Sequence, residues 1–492
     1  MKSIQVILIF FSLNLLSQND QDALRYSQNY FGGTSRSKAM AGSFGALGAD
    51  GSCMAINPAG IGLYRKGDIN ISFGFRNQNS SALHNGTKVE NSKANLTFDG
   101  LSFVAAWDSE KNKDLHHSIG VSANQIANYG SNTLIEGISN NKSIMNDVLA
   151  TTNNSTITNL DPSFAGLAFS SYLLDTIDGK FYSFVNTNQN IYQYKQIETS
   201  GRINEWNFNY VCGMQDKIYF GVSLGVPSVN FNYTSVYGEK DTKDSIRINN
   251  YNYPVYYYAG HGGFSELKYE ENYRTSGRGF NLKLGSIIRA TDFFRLGLAF
   301  HSSTIYNLTD TYTYGMYSKF DEGSSYTVTF PDNNTAGRFN YQIITPSKFI
   351  GSFAFIIQKI AVLNIDYDYI NYTRASLTSS TSNFTFANET IKKKYSSTGN
   401  LKIGTEINLN PYYVRVGFAS FGSPFGEQLK GDFVRNFYTG GIGFKKNKFY
   451  VDFSFSRSLT KENYYMYNPN YVDKSVLTIS GTTIAFTVGS KF

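Results

Sequence analysis

The chain has 492 residues and is poor in several features that stabilise secreted proteins. It holds two cysteines, Cys53 and Cys212, so no disulfide framework and no thiolate metal site can be built from it. Proline is scarce at 9 and charged residues make up only 16%. Beyond the first residues there is no run of about 18 uncharged apolar residues, which excludes a membrane-spanning helix. The net charge of +7 is spread along the chain, and its one basic run, Lys392–Lys394, is short and reads as a solvated strand end. Nucleic-acid binding is therefore not expected. Of the five histidines only His116 and His117 are adjacent, and in a strand their side chains point to opposite faces. His301 is the best-placed candidate for a haem ligand, but no metal and no cofactor is expected.

What is abundant is aromatic and small: 37 Tyr, 39 Phe and 44 Gly. Aromatic belts at two membrane interfaces and a polar lumen would account for this mixture together. The start of the chain fits export. Lys2, the apolar Ile4–Leu16 and the small Ser17 read as a signal peptide over residues 1–17, with no cysteine at the cleavage region for a lipid anchor.

From Asp68 onward, apolar and polar residues alternate with period two. Phe449, Val451, Phe453 and Phe455 alternate with Tyr450, Asp452, Ser454 and Ser456; Leu401, Ile403, Thr405 and Ile407 with Lys402, Gly404 and Glu406. The polar face carries charges on strand after strand, which suits a wet lumen better than a packed core. Fourteen such segments are expected. They lie near Asp68–Asn79, Lys93–Trp107, His116–Tyr129, Tyr192–Gly213, Lys217–Tyr237, Phe264–Ala290 and Phe293–Tyr314. The remainder lie near Arg338–Ile357, Ile360–Arg374, Ile391–Leu409, Tyr412–Phe421, Arg435–Lys445, Lys448–Thr460 and Ser475–Phe492. Tight connections such as Asn410–Pro411 alternate with long polar ones such as Gly315–Gly337, as periplasmic turns and extracellular loops do. The longest excursion, Gly130–Ile191, breaks the pattern, with short helices expected at Lys142–Leu149 and Pro162–Leu174. An even strand count puts both termini on one side, the periplasm. The alternating last strand, closing on Phe492, resembles the signal read by outer-membrane assembly machinery.

Residues 18–67 do not read as barrel. The run Gly32–Arg65, GGTSRSKAMAGSFGALGADGSCMAINPAGIGLYR, is small, weakly charged and turn-rich, and its composition favours burial inside the barrel mouth. Its AMAG, GALGAD and INPAG elements resemble the FadL-type outer-membrane transport family, and more closely its Bacteroidetes branch. RLGLAFHSST (Arg295–Thr304), LKIGTEINLNPYYVRVGFASFGSPF (Leu401–Phe425) and TGGIGF (Thr439–Phe444) resemble it too. The resemblance implies an all-β, 14-stranded antiparallel transmembrane β-barrel over residues 68–492, plugged by an N-terminal hatch over 18–67. It implies passive uptake of small hydrophobic molecules, of the long-chain fatty acid or aromatic hydrocarbon class, with lateral release after the hatch moves. By motif match, Asn57, Pro58, Ala59 and Gly60 are the hatch and gate residues.

No nucleophile-and-base or paired-acid arrangement reads as an active site, so an enzyme is not expected. Glu406, Arg415, Lys402, Asp452, Asp366 and Asp368 are expected to form a salt-bridged lumen network, beside inward Lys283, Arg289 and Arg295. Glu406 should oppose Arg415 across the Asn410–Pro411 turn. The triplet Asp244–Ile246 resembles a Bacteroidetes O-glycosylation site. The expected partners are a hydrophobic ligand, outer-membrane lipid and, during biogenesis, the assembly machinery. The rival reading is an accessory barrel that binds protein partners of a secretion or assembly complex.

Overall fold

The computed structural model describes residues 20–152, 155–183, 185, 190–242, 263–332, 335–358, 360–426 and 433–492. The expected signal segment 1–17, the Asp244–Ile246 triplet and His261 lie outside them.

The alternating segments form one antiparallel wall. Its strands are β1 (Asp68–His84), β2 (Thr87–Asp108), β3 (Leu115–Asn128) with its continuation β4 (Ser131–Ile138), and, after a small hairpin of β5 (Leu174–Ile177) and β6 (Lys180–Ser183), β7 (Tyr192–Met214). There follow β8 (Ile218–Lys240), β9 (Phe264–Arg289), the interrupted pair β10 (Phe294–His301) and β11 (Ile305–Phe320), and a short β12 (Ser325–Phe330) folded back on β11. Next come β13 (Gly337–Ile344) and β14 (Lys348–Ile357), then β15 (Ala361–Asn371) with β16 (Ser376–Thr378). The last five are β17 (Ser397–Leu409), β18 (Tyr412–Phe421), β19 (Arg435–Lys446), β20 (Phe449–Tyr464) and β21 (Ser475–Lys491). Counting interrupted strands once gives fourteen, and β21 pairs with β1 from Asp68↔Lys491 to Leu83↔Val476, which closes the barrel.

The period of two sorts the side chains. Phe73, Phe208, Phe280, Val416 and Phe453 are exposed on the outer wall, while Asn70, Asn207, Asp366, Lys402, Glu406, Arg415 and Asp452 are buried inside. An apolar exterior around a polar interior is the arrangement of a transmembrane barrel, because lipid can solvate only the former. The longest strand, β9, has 26 residues, whereas about 10 suffice to cross a bilayer, so the wall continues well beyond the apolar belt at the long-loop end.

Several sequence expectations need correction. The β1–β2 connection is not a loop over residues 80–92: both strands run on to a two-residue turn at Asn85–Gly86, whose φ values of 45° and 85° match the hairpin turn that Asn-Gly favours. Gly130–Ile191 does not break the pattern at once, since β4 still pairs with β7. Its helices are α4 (Ile144–Thr152) and α5 (Ala165–Ser170), packed in an apolar cap with Leu267, Met316 and Leu477. Ile391–Lys394 is helical, ending a helix at Thr385–Lys394 that turns Ile391 inward. The Gly315–Gly337 loop carries β12. Three neighbouring wall strands are interrupted at one level, at Ser302–Thr304, Thr345–Ser347 and Tyr372–Ala375. Pro346, with no N–H to donate, sits in the middle one.

Candidate functional site

The N-terminal segment lies inside the wall, and its lower part is tied to nearly every strand around it. Helix α2 (Ser35–Ala39) is capped by the Thr34 side chain, and the Ser35 amide donates to Thr487 Oγ1 at 2.7 Å. Thr439 Oγ1 donates to the Ala39 carbonyl at 2.8 Å. Asp366 accepts from the amides of Phe44 and Gly45 at 2.9 and 3.0 Å. Arg295 donates to the Leu47 carbonyl, His301 Nε2 to that of Ile56, each at 2.8 Å, and Asn209 to that of Pro58 at 3.0 Å. Asn57 Nδ2 bridges the carbonyls of Gly45 and Ser286, at 2.6 and 3.0 Å. The inner wall leaves room for this backbone by omitting side chains. A Cβ at Gly417 would stand 2.6 Å from the Met40 carbonyl carbon, and one at Gly297 2.3 Å from the Gly45 carbonyl oxygen.

The charged residues expected in the lumen divide into three groups. Glu406 opposes Arg415 in register and pairs with it at 2.6 Å; Arg415 also reaches Asp452 at 2.5 Å. Glu406 takes a second cation, Arg36 of the N-terminal segment, through two bonds of 2.8 and 2.9 Å. Lys402 pairs with Asp368 at 2.9 Å. Asp366 departs from the expectation: among the described residues it makes no ion pair and instead caps the backbone at Phe44–Gly45. Pairing and hydrogen bonding are what allow such charges to be buried at all.

Sequence reasoning missed the other half of the network. Arg36, and Lys38 with its partner Asp99 at 2.6 Å, join the segment to the wall, and Glu205 pairs with Lys283. The parity of Glu205 on its strand was available as a signal; the bulge that turns Asp99 inward and the reach of Arg36 and Lys38 were not. His301 is occupied by the Ile56 carbonyl rather than poised over open space. Cys53 and Cys212 are free thiols, Cys53 buried in helix α3 (Cys53–Ile56) and Cys212 part-exposed on the outer wall; burial pushes the Cys53 thiol up.

Above Ser35 the character changes. Helix α1 (Asp20–Ser27) packs Ala23, Leu24 and Tyr26 among Phe231, Tyr306, Tyr372 and Ile391. Its Arg25 guanidinium lies 4.4 Å from the Phe231 ring centre, and its Asp20 receives Lys394 at 2.6 Å. Between α1 and α2, Gln28–Gly33 makes one hydrogen bond to the wall among the described residues, from the Tyr30 amide to the Ile126 carbonyl at 3.3 Å. Tyr30 and Phe31 otherwise rest on the rings of Phe421 and Phe437.

At that place the wall itself is incomplete. The β2–β3 ladder runs from Asp108↔His116 to Gly100↔Asn124 and stops; Thr87–Phe98 pair only with β1, and Asp99 is bulged. The cause is local: Ile126 is bulged between Gln125 and Ala127, and the chain then bends at Tyr129–Gly130 so that β4 passes over β1, with the Ser80 hydroxyl donating to the Asn132 carbonyl at 2.7 Å. Behind the gap lies a cavity of about 1100 Å³, lined by Leu24, Gln28, Tyr30, Phe31, Ile126, Phe437, Arg76 and Arg435 among others. Asn57, Pro58, Ala59 and Gly60 do not line it. They lie in the tightly bonded lower part.

The molecule is thus a closed transmembrane barrel with an apolar outer wall, a plugged polar lumen and a lateral gap backed by a cavity. No family model and no curated protein matches the sequence. Solved structures do match. The chain is similar to a Pseudomonas aeruginosa FadL homologue (12% identity, TM-score 0.54, 94% of this chain and 100% of that one). It is also similar to the P. putida toluene transporter TodX (12%, 0.53, 94% and 99%) and the Ralstonia pickettii toluene transporter TbuX (13%, 0.50, 94% and 99%). The likeness is one of fold.

Proposed function

We propose that the protein is a FadL-type outer-membrane channel that passes small hydrophobic molecules from outside into the bilayer without energy coupling. Its short turns and both ends of the chain then face the periplasm. The observation that carries this reading is the gap beyond Gly100↔Asn124, placed directly against a cavity large enough for a ligand. A solute that cannot cross the polar glycolipid surface would enter the cavity from the long-loop end and leave sideways, where lipid tails solvate it. The fold shared with a FadL homologue and two toluene transporters supports the same reading.

In this reading residues 18–67 are the hatch, and its two parts have separate duties. Asn57–Gly60 belong to the base, fixed by Ser286, Asn209 and His301. The moving element is Gln28–Gly33, where a single hydrogen bond and ring contacts close the gap. Of the two substrate classes, a long-chain acid suits the cavity better than a neutral hydrocarbon. Arg76 and Arg435 both line it, and among the described residues neither has a carboxylate within ion-pairing distance; Arg76 donates to Gln78 and the Asn128 carbonyl, Arg435 to Thr460. Glu462 lines the same cavity and interacts with Arg435, so the counter-charge that a ligand carboxylate would supply is the one for Arg76.

The test is a lock across the gap. Tyr30→Cys with Ile126→Cys, in a Cys212→Ser chain, should form a disulfide, since the two backbones are already hydrogen-bonded. Uptake of a long-chain fatty acid by cells should stop when the bridge forms and resume on reduction, with barrel assembly unchanged. Undiminished uptake in the locked state sinks the gate. If removing the gene leaves uptake intact and instead blocks secretion or barrel assembly, the accessory-barrel reading replaces transport.

A further inference from the structure

The outer wall carries a feature that passage through the lumen does not use. Just beyond the apolar belt at the long-loop end, β7, β8, β9, β11 and β13 present three registered rows of outward-facing polar residues. The belt ends on Trp206, Phe280 and Ile305, all exposed. The first row outward is Arg278↔Asn307↔Gln342, the second Arg202↔Asn230↔Ser276↔Thr309↔Asn340, and the third Asn232↔Arg274↔Thr311↔Arg338. Arg202, Arg274, Arg278 and Arg338 are all exposed, and none forms a salt bridge among the described residues. Two strand spacings, or about 10 Å, separate Arg202 from Ser276 and Arg274 from Arg338, and Arg274 and Arg278 are two outward positions apart at about 13 Å. The next carboxylates on this face, Glu198 and Glu270, lie further from the belt, and Glu198 is engaged by Lys93 at 2.8 Å.

Below the arginines the belt is indented. A slot of about 410 Å³, lined by Phe103, Ile119, Phe208, Val222, Leu224 and Leu282, runs across β2, β3, β7, β8 and β9 on the lipid side. Leu282 lies four residues below Arg278 on the same strand and the same face, about 13 Å away, which an acyl chain spans.

We infer that this face binds a phosphorylated glycolipid of the outer leaflet, with its phosphates on Arg202, Arg274, Arg278 and Arg338 and an acyl chain in the slot beneath. Guanidinium groups bind phosphate through paired N–H donors, and at a headgroup boundary they need no protein counter-ion. The exposed amides of Asn230, Asn307, Asn340 and Gln342 and the half-buried Thr309 hydroxyl lie between them, as sugar hydroxyls require. Four cations with no salt bridge among the described residues, directly above an apolar indentation, match a ligand that is anionic at one end and acylated at the other. The inference rests on the outer-membrane placement proposed above, though not on transport.

The test uses the full-length protein extracted in mild detergent and native mass spectrometry with a bis-phosphorylated lipid A as probe. The wild-type protein should hold it, and a chain with all four arginines changed to Ala should bind roughly tenfold less or worse. The corresponding four-Lys chain should keep most of the binding, and dephosphorylated lipid A should bind the wild-type protein as poorly as lipid A binds the Ala chain. Should the four-Ala chain fail to assemble, Arg274→Ala with Arg278→Ala makes the same comparison. Equal binding by wild-type and Ala chains, or equal binding of phosphorylated and dephosphorylated lipid, overturns the inference. Membrane fractionation separates the two readings: a protein found in the outer membrane but indifferent to phosphate refutes only this site, whereas a protein found elsewhere refutes the placement.

Discussion

Ser35–Leu63 and Gln28–Gly33 are neighbouring stretches of one N-terminal segment in one lumen, yet the barrel holds them by different means. The longer stretch is fastened by ion pairs and by wall side chains bonded to its carbonyls and amides, at Ala39, Phe44, Gly45, Leu47, Ile56 and Pro58. The shorter one has, among the described residues, one hydrogen bond to the wall, aromatic-ring contacts, the Arg435 guanidinium over Tyr30 and the close approach of Gly32 to the Gln125 backbone. Buried polar groups cost free energy when a partner is removed, so the first contact is strongly bistable: made in full or lost. Ring contacts can slide and be replaced by a ligand's own apolar surface. Segments that move are drawn from the weakly held end of that range, and here that end lies against the gap.

The comparison breaks most visibly at Glu406. Glu406→Ala leaves Arg36 and Arg415 without their shared carboxylate, and should cost about 3–5 kcal/mol, read as a lower temperature for the folded-to-unfolded gel-mobility shift. A Glu406→Arg, Arg415→Glu double variant should recover part of that loss; simple additivity of the two single changes would mean the pair is not coupled. Next in size is Gly417→Val. Its side chain meets backbone at Met40 and Ala41, which cannot swing aside, so it should cost about 1–3 kcal/mol and expose Arg36 and Lys38 to trypsin while the barrel persists. A protease-resistant segment would mean that the inner-wall glycines are not what seats it.

Tyr30→Ala sharpens the contrast from the other side. It should change stability by about 1 kcal/mol or less, yet raise the leak of small neutral solutes into liposomes, because it removes the ring at the gap and not an anchor. The smallest effect is a difference in labelling. The Cys53 thiol is held above its ordinary range by burial, and only the thiolate reacts, so it should alkylate slowly at pH 8, where an exposed thiol reacts readily. Adding fatty acid should speed labelling of an introduced Gln28→Cys and leave Cys53 unchanged. Faster labelling at Cys53 would show that the base moves too.

The barrel was legible because its period-two pattern is written locally. Phe453 beside Asp452, or Ile403 beside Lys402, declares its face without reference to any other strand, and the Asn410–Pro411 turn then sets Glu406 opposite Arg415. The Asn85-Gly86 hairpin was equally local and was overlooked, because the polar run around it reads as a loop when only apolar alternation is followed. The helix ending at Lys394 was misread as strand for the opposite reason: its inner face, Phe384, Ala387 and Ile391, has helical spacing but holds only two large apolar residues, too few to stand out from the alternating run that follows.

The gap was not legible in any way. Ile126 carries no signal that distinguishes a bulge from a regular strand residue, and the loss of pairing falls on Thr87–Phe98, a largely polar run that gives no sign of which neighbour it lacks. The sequence by itself determined the architecture: fourteen strands, their inner and outer faces, and a small-residue segment able to fit among inner glycines. Alternation, turn residues and side-chain volume act between near neighbours, so each can be read in place. Only the tertiary structure decided which part of that segment is anchored and which lies against an opening. That depends on where Asp366, His301, Asn209 and Glu406 meet residues some 150 to 370 positions away, distances over which no local rule acts.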